Sequence, residues 1–395
     1  MGYLNEYLDK RMSPQDLMNE LVNLMRRYNT LTGHYIFLYV AAMNKASIPD
    51  ISMRQEDMYV IRDLLNDVKE EKIDVYIETP GGNGNTAEEI GRFLHDKFQE
   101  VDFVISGEAK SAGTILALSG NEIYMTETGS LGPIDAQVRI GRSTVSAYDY
   151  IDWLREKMNE ATKNGSLNPV DATIIAQINP GEIQDIYHSL EFAKDLVQQW
   201  LPKYKFRDWN ITENQRKPVT EEMKAKRARQ IAGDLANHSK WRSHGRSLKI
   251  TDLNSIGLKV RNLEEEPEKA DLIYRIQFVC KLLFETTTTY KIFADEKQKI
   301  IRSVVNANIN TRNLEVVKPE TIKSATADVK CPKCGTIYRF YKELTKDSAL
   351  DAQMRLQNRK ILPKEDSFIC ENCGNSVDLK AVKNQIDMAV KNYQL

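Results

Sequence analysis

Two glycine-containing turns in this chain could together carry out acyl transfer. The first is Thr79-Pro80-Gly81-Gly82, and the second, about one helix length later, is Ser111-Ala112-Gly113. Glycine lets a substrate backbone approach closely, and a serine at the start of a helix can serve as a nucleophile. The N–H groups of Gly81, Gly82 and Ala112 could stabilise the oxyanion that forms when Ser111 attacks a carbonyl carbon. The two turns therefore predict a serine hydrolase site.

Two simpler interpretations compete with this one. Serine is a preferred helix cap, so Ser111 could belong to an ordinary turn between a strand and a helix. A phosphate-binding loop would also place glycines at the start of a helix. Neither G-x-x-x-x-G-K-[ST] nor G-x-G-x-x-G occurs at these turns, which disfavours the phosphate loop and leaves the capping serine open.

A serine nucleophile needs a base, and the chain offers five histidines: His34, His95, His188, His238 and His244. His244 lies in the loop Ser243-His244-Gly245-Arg246, and loops are enriched in functional residues. A structural role for that histidine is an equal alternative. A lysine with a lowered pKa could serve instead, and the candidates are Lys110, Lys157 and Lys163.

The segments that position the two turns alternate between apolar strands and amphipathic helices. Strands are predicted over residues 35–41, 73–77, 101–105 and 123–125, and Ser13-Pro14 predicts the start of the first long helix. This alternation predicts an α/β fold of parallel βαβ units. Ligands bind such sheets beyond the carboxyl ends of the strands, where both turns lie. Beyond Tyr148 the chain is predicted to be mostly helical, with a linker over residues 306–327.

Four of the five cysteines form two CxxCG motifs, Cys331-Pro-Lys-Cys334-Gly and Cys370-Glu-Asn-Cys373-Gly. Each pair can supply two corners of a tetrahedron, and four thiolates suit a structural Zn²⁺. The sequence therefore predicts a zinc-ribbon-like module with a long insertion between the two pairs. The aromatic residues over 337–341 could bind a partner or could simply cover the metal. Cys280 falls in a helical stripe and is predicted to be a core residue.

Composition bounds the remaining possibilities. The net charge of −1 suggests no bulk attraction to nucleic acid, and the basic residues over 224–249 are predicted to form a solvated helix face. The apolar run over 35–43 is too short to span a bilayer. No secretory signal is recognisable, so a cytoplasmic location is expected.

The order of these motifs resembles the Clp and signal-peptide-peptidase class of serine peptidases, which share the Clp/crotonase fold. The chain is more closely similar to the SDH, or serine dehydrogenase proteinase, family over about residues 15–300. That likeness includes Leu131-Gly-Pro-Ile-Asp135-Ala-Gln, Leu196-Val-Gln-Gln-Trp-Leu201 and the Ser243–Arg246 loop. It implies Ser111 as the nucleophile, Gly82 and Ala112 as oxyanion donors, a peptide or protein substrate, and a homo-oligomer.

One position departs from the Clp pattern. The Clp protease carries a histidine about where this chain has Asp135, so the base must come from elsewhere. His244 with Asp135 would complete a Ser-His-Asp arrangement, because such triads are defined by geometry and not by chain order. A Ser-Lys dyad, as in signal peptide peptidases, is the alternative, and Asp135 could also be a simple turn residue.

These observations predict three regions: a Clp/crotonase-like peptidase domain over residues 1–265, a helical extension and linker over 266–327, and a zinc-ribbon-like domain over 328–395. The predicted function is peptide-bond hydrolysis through Ser111, with the zinc module recruiting a partner or substrate. A crotonase-like enzyme acting on acyl thioesters would use the same oxyanion donors without the nucleophile. A catalytically silent adaptor is the third hypothesis.

Overall fold

The structure is a computed structural model, and it describes residues 2–45, 48–140, 143–212, 216–304, 324–343, 350, 354–355, 357–384 and 386. The chain divides into two compact units, Met1–Asn306 and Ala307–Leu395. Each unit has a buried apolar core of its own, and the two are described separately below.

A seven-stranded sheet forms the centre of the first unit. In spatial order its strands are β11 (Lys299–Ser303), β10 (Thr289–Ala294), β1 (Tyr35–Ala41), β2 (Lys72–Glu78), β3 (Glu100–Ile105), β5 (Glu122–Met125) and β9 (Arg261–Asn262). The run from β1 to β9 is parallel, whereas β10 pairs antiparallel with both β1 and β11. Two short pairs flank this sheet: β4 (Glu108–Ala109) with β6 (Ser130–Leu131), and β7 (Gln137–Ile140) with β8 (Ser143–Ser146).

Twelve α-helices accompany these strands in the described part of the first unit. They are α1 (Tyr3–Asp9), α2 (Pro14–Thr32), α3 (Gln55–Leu65), α4 (Gly84–Lys97), α5 (Ala112–Ala117), α6 (Ala147–Asn164), α7 (Pro169–Ile175), α8 (Pro180–Lys203), α9 (Glu221–Ala236), α10 (His238–Trp241), α11 (Ile250–Ser255) and α12 (Pro267–Thr286).

The sheet is buried on both faces, as expected of parallel strands whose crossovers are helices. Strand β1 shows this directly, because all seven of its residues are buried. Tyr35, Phe37 and Tyr39 join a core with α3, α4, α8 and α9. Ile36, Leu38 and Val40, which point to the opposite face, join a second core with α2 and α12. The first unit is therefore a three-layer α/β structure.

The predicted strands and the parallel α/β class are confirmed, and the first unit after Tyr148 is mostly helical as predicted, although three strands in it, β9, β10 and β11, were not predicted. Strands β10 and β11 complete the sheet, and α12 packs in the same core as α2. The residues expected to form an extension after 265 therefore belong to the first unit. The predicted linker over 306–327 lies mostly outside the described residues, and its last four residues are in strand.

The second unit contains two small sheets in its described part. Strands β12 (Ser324–Lys330), β13 (Ile337–Glu343) and β14 (Lys360–Ile361) form one, and β15 (Ser367–Ile369) pairs with β16 (Ser376–Asp378) in the other. Tyr338 and Phe340 are buried in the same cluster as Cys331 and Cys370. These aromatic residues cover the cysteines, as the simpler of the two sequence interpretations expected.

Candidate active site and cysteine cluster

Ser111 adopts a backbone conformation that few non-glycine residues adopt. It directly precedes α5 with φ 51° and ψ −116°, and its hydroxyl makes no capping hydrogen bond to the helix. A serine that served only as a helix cap would have extended backbone angles and would accept a bond from the first turn. An unusual φ at a serine between a strand and a helix is a feature of nucleophile turns. The geometry therefore disfavours the capping interpretation.

The Gly81–Gly82 turn packs directly against Ser111, and both glycines have positive φ, 94° and 144°. A Cβ atom at Gly81 would lie 2.6 Å from the Cβ of Ser111, and one at Gly82 would lie 2.4 Å from the carbonyl oxygen of Met53. No side chain fits at either position. The requirement for glycine comes from close approach as well as from the turn conformation.

Met53 fixes the orientation of the Gly82 amide. Its N–H donates to the Gly81 carbonyl at 2.6 Å, and its carbonyl accepts from the Asn83 N–H at 3.0 Å. The N–H of Gly82 lies between these two bonds and makes none with the described residues, and the N–H of Ala112 also lacks a described partner. The two turns thus offer main-chain N–H groups that have no partner among the described residues, and oxyanion holes are built from donors of this kind.

A buried ion pair holds the segment that carries Met53. The Lys291 ammonium, which is 1% exposed, lies 2.8 Å from an Asp57 carboxylate oxygen and donates to the Ser52 carbonyl at 2.9 Å. The Tyr39 hydroxyl donates to the same carboxylate at 2.8 Å. Strands β1 and β10 therefore support the Gly81–Gly82 turn through side chains that sequence reasoning did not identify.

Asp135 is buried and accepts hydrogen bonds from two histidines. Oδ1 lies 2.8 Å from Nδ1 of His244, and Oδ2 lies 2.8 Å from Nδ1 of His238. Gln137 donates to Oδ2 at 3.1 Å. Burial by itself would raise the pKa of the Asp135 carboxyl, but the bonds and charges of His244 and His238 outweigh it and lower that pKa below its ordinary value. Asp135 is therefore an ionised partner for both rings.

Sequence reasoning gave His238 no role. His238 and His244 reach one carboxylate because the short helix α10 ends at Trp241, and the next residue, Arg242, has a φ of 59° that reverses the chain between them. Nothing in the spacing of six residues indicates this reversal. The sequence contains the residues of the arrangement, but only the fold reveals that they share a partner.

Lys110 joins the turn that carries Ser111 to the loop that carries His244. Its ammonium donates to the Ser247 hydroxyl at 2.8 Å and to the Arg246 carbonyl at 3.3 Å. Leu131 and Leu248 exchange backbone bonds beside it. The carboxyl end of the sheet thus gathers Ser111, the glycine turn, Asp135 and the His244 loop in one region.

The lysines fit the role of base less well. Hydrogen bonds to Asp171 and Glu160, at 2.9 and 3.0 Å, raise the pKa of Lys157, so that its ammonium keeps its proton. Burial lowers the pKa of Lys110, but its ammonium is engaged by oxygens of other segments. Lys163 is exposed on α6. His244 combines an orienting carboxylate with a second nitrogen that has no partner among the described residues. His34 is bonded in the same way to Asp74, but it lies at the amino end of β1, away from Ser111.

A second buried polar cluster lies at the amino ends of β2 and β3, the edge opposite Ser111. His34 Nδ1 lies 2.7 Å from Asp74, and Asp102 lies 4.0 Å from the same nitrogen. The three side chains are close enough to hold a metal ion. Tyr28 donates to Asp74, and the Lys269 ammonium lies 3.8 Å from it, so the negative charge is already balanced by the protein. We interpret this cluster as structural.

The four cysteines of the second unit meet at one point. Cys331 Sγ lies 3.6 Å from Cys373 Sγ, and Cys334 Sγ lies 3.5 Å from Cys370 Sγ, with all four sulfurs within 4.8 Å of one another. Tetrahedral thiolates about 2.3 Å from a metal would be separated by about 3.8 Å. The set could therefore hold a metal ion. Cys280, by contrast, is a buried core residue of α12, as predicted.

The two cysteine turns have the same geometry. In each, the N–H of the glycine donates to the carbonyl of the first cysteine, at 3.0 Å for Gly335 and 2.9 Å for Gly374. Both glycines have positive φ, 76° and 68°, which explains their place after the second cysteine. This repetition is what the doubled CxxCG motif predicted.

Within the described residues, no helix combines the length and the apolar character that crossing a membrane requires.

Comparison with known proteins gives one family match. Residues 50–162 match the model of the ClpP-like SDH-type serine proteinase family. This confirms the predicted resemblance over a segment that contains both glycine turns, Ser111 and Asp135. His244 and the four cysteines lie outside it.

Two uncharacterized proteins of Methanocaldococcus jannaschii, MJ0137 and MJ1495, are 37% and 35% identical over 70 and 66 residues. These matches cover 18% and 17% of this chain and about a quarter, 24% and 23%, of the relatives. Two structures of mutants of the 1510-N membrane-bound stomatin-specific protease, one with a substrate peptide, are similar at 13% and 14% identity. Each covers 60% of this chain and 84% or 80% of the protease chain, with a TM-score of 0.31.

Proposed function

We propose that this protein is a serine peptidase in which Ser111 is the nucleophile, His244 the general base and Asp135 the carboxylate that orients it. The single observation that carries the proposal is the hydroxyl of Ser111. It lies on a turn with φ 51°, caps no helix, and packs against a glycine turn whose Gly82 amide is unpaired. The family match over residues 50–162 supports the peptidase class.

In the proposed reaction His244 Nε2 takes the hydroxyl proton as Ser111 Oγ bonds to the peptide carbonyl carbon. The carbonyl oxygen becomes an oxyanion, and the N–H groups of Gly82 and Ala112 stabilise it. The imidazolium then gives its proton to the leaving amine as the C–N bond breaks, which leaves an acyl-enzyme. Water attacks this ester with His244 again as the base, and releases the acid and Ser111.

The test is labelling of the full chain by a fluorophosphonate probe, which reacts with activated serines. We expect labelling of the native chain, none of Ser111→Ala, and full labelling of the matched control Ser255→Ala, whose hydroxyl lies on an exposed helix. His244→Ala should slow labelling by about 10²–10⁴-fold, whereas Lys157→Ala should not change it. An unlabelled native chain would count against the hydrolase, and full labelling of His244→Ala would remove that residue as base.

The same variants separate the crotonase-like alternative. An enzyme that only polarises an acyl thioester needs the two amide donors but no nucleophile. Activity on an acyl thioester that survived in Ser111→Ala would favour it over the peptidase.

We further propose that the cysteines bind a structural Zn²⁺. The sulfur separations and the two repeated turns fit a tetrahedral thiolate site, and the Tyr338 hydroxyl lies 3.1 Å from Cys370 Sγ as an outer partner. The ion would join the two cysteine turns of a zinc-ribbon-like module that recruits a protein partner or substrate. A homo-oligomer and a cytoplasmic location complete the proposal; the likeness to Clp-type peptidases supports the first, and reduced cysteines support the second.

A further inference from the structure

Asp135 has two imidazole partners, whereas a Ser-His-Asp site needs one. The second partner, His238, uses both of its ring nitrogens on carboxylates. Nδ1 lies 2.8 Å from Oδ2 of Asp135, and Nε2 lies 3.2 Å from Oδ2 of Asp149. A neutral imidazole has only one N–H group, and an ionised carboxylate can only accept. The two contacts are satisfied together only when both nitrogens of His238 carry protons.

His244 contacts the other oxygen of the same carboxylate, and it does so through one nitrogen only. Its Nδ1 lies 2.8 Å from Oδ1 of Asp135, and its Nε2 has no partner among the described residues. With the Nδ1 proton directed at Asp135, Nε2 keeps a lone pair that can accept the proton of a hydroxyl. The two histidines therefore differ in form: His238 suits the cation, and His244 suits the neutral base.

A cation on Asp135 changes what that carboxylate does for His244. An unshared carboxylate would stabilise the protonated form of His244 strongly, and a base that is already protonated cannot act. The charge of His238 offsets part of that attraction, and its hydrogen bond, with that of Gln137, fixes the second oxygen so that Oδ1 faces His244.

We propose that His238 is a positioning residue of this site, which holds Asp135 with a positive charge and thereby keeps His244 in its neutral, proton-accepting form. The inference rests on the proposed serine hydrolase function. His238 contacts neither the nucleophile nor the amide donors in the described structure, so it acts only through Asp135.

Other charged side chains lie on the segments that surround Asp135. Asp149 begins α6 and is the outer carboxylate of His238. Of the described charged side chains on the surrounding segments, Lys110 lies 3.7 Å from Glu108, Lys240 lies 2.7 Å from Asp234, and Arg246 lies over the ring of Trp241. In the described part of the chain, the basic groups that contact Asp135 are the rings of His238 and His244.

The experiment compares the full native chain with His238→Gln, which keeps a donor for Asp135 but carries no charge. The matched control is His188→Gln, because the His188 side chain is exposed on α8. The rate of fluorophosphonate labelling is measured from pH 5 to 9. In His238→Gln the acid side of the profile should move to higher pH, because the substitution removes a positive charge beside Asp135. At pH 6 labelling should be several-fold slower, whereas His188→Gln should match the native chain.

A second readout does not depend on hydrolysis. Nitrogen-15 NMR of the five histidines at pH 7 distinguishes imidazolium from neutral imidazole, and single variants assign the signals. We expect the signals of His238 and His244 to differ in the native chain, and the signal of His244 to change in His238→Gln. A His244 signal that changes in His238→Gln, in a protein that the probe does not label, would refute the hydrolase and leave only the coupling between the two histidines. Labelling with an unmoved pH profile and an unchanged His244 signal would overturn the inference alone.

Discussion

The serine site draws on segments spread from residue 81 to residue 244, whereas the four cysteines come from two short turns with the same internal hydrogen bonds. In the first unit the sheet creates the juxtaposition, because Gly82, Ser111 and Asp135 follow β2, β3 and β5 at one edge. In the second unit the spacing within each CxxCG motif fixes half of the cluster before any long-range contact forms. The comparison shows two ways of building a site, one that depends on topology and one that depends on local turn geometry.

The largest expected effect is on the cysteine cluster, because a small unit with little core would depend on the proposed metal for its stability. Apparent binding energies of structural Zn²⁺ are about 10–16 kcal/mol. Removing zinc with a chelator, or changing Cys370→Ala, should abolish the cooperative calorimetric transition of residues 324–386 in the full chain. Fluorophosphonate labelling of Ser111 should persist, since no residue of its site lies in the second unit.

The control for this experiment is Cys280→Ala, which removes a buried thiol outside the cluster and should leave the second transition in place. A second unit that unfolds identically with and without chelator would contradict the metal assignment. Loss of labelling together with the metal would show that the two sites are not independent.

A smaller effect is expected at the oxyanion turn. Gly82→Ala places a Cβ 2.4 Å from the Met53 carbonyl, so the turn must shift and the amide of residue 82 with it. Loss of one oxyanion donor slows catalysis by about 10²–10³-fold. The rate of fluorophosphonate labelling should fall by a similar factor, with a modest drop in the thermal midpoint.

Gly233→Ala is the matched substitution, because that glycine lies in α9 with open space around its Cβ. It should label at the native rate and be slightly more stable, by about 0.5–1 kcal/mol, since alanine favours a helix. If Gly82→Ala were also labelled at the native rate, the N–H of residue 82 would not be an oxyanion donor of the serine site.

The smallest effect concerns the opposite edge of the same sheet. Burial, then the nearby charge of Asp74, raises the pKa of the Asp102 carboxyl to about 7. The unfolded value is about 3.9, so between these pH values the folded chain holds a proton that the unfolded chain releases. The free energy of unfolding of the first unit should therefore fall as pH rises from about 4 to about 7.

Asp102→Asn removes this titration and retains a carbonyl oxygen for the N–H of Glu122, which now bonds to Asp102 Oδ1. Urea unfolding should show a flatter pH dependence and a gain of about 2 kcal/mol at pH 8. The exposed control Asp96→Asn should change neither quantity. A steeper pH dependence of the free energy of unfolding in Asp102→Asn would mean that the buried carboxylate of Asp102 stabilises the sheet.

The features that could be predicted from the sequence are those that local geometry determines, and not those that depend on the topology of the sheet. The start of α2 at Ser13-Pro14 and the span of β1 at residues 35–41 were predicted because a cap, a proline and an apolar run act locally. The cysteine cluster was predicted from spacing. The residues Ser111, Asp135 and His244 were identified, but whether they cooperate depends on loops that only the sheet brings together.

Three features could not be predicted for physical reasons. The positive φ of Ser111 is imposed by the packing of the Gly81–Gly82 turn, and sequence alone does not encode that packing. The role of His238 depends on the chain reversal at Arg242. Strand β10 was missed because its threonine-rich start follows α12 directly and its antiparallel pairing with β1 spans some 250 residues of sequence, as in Leu38 with Ala294.

The contacts of Lys110 bear on when the proposed site can assemble during synthesis of the chain. Its ammonium is held by oxygens of residues 246 and 247, and the histidines that serve Asp135 lie at 238 and 244. A nascent chain that has left the ribosome only as far as α8 therefore contains Ser111 but neither histidine. Under the proposed mechanism the serine gains its base only once the chain has emerged beyond residue 247, so that a shorter nascent chain has no activated nucleophile to attack its neighbours.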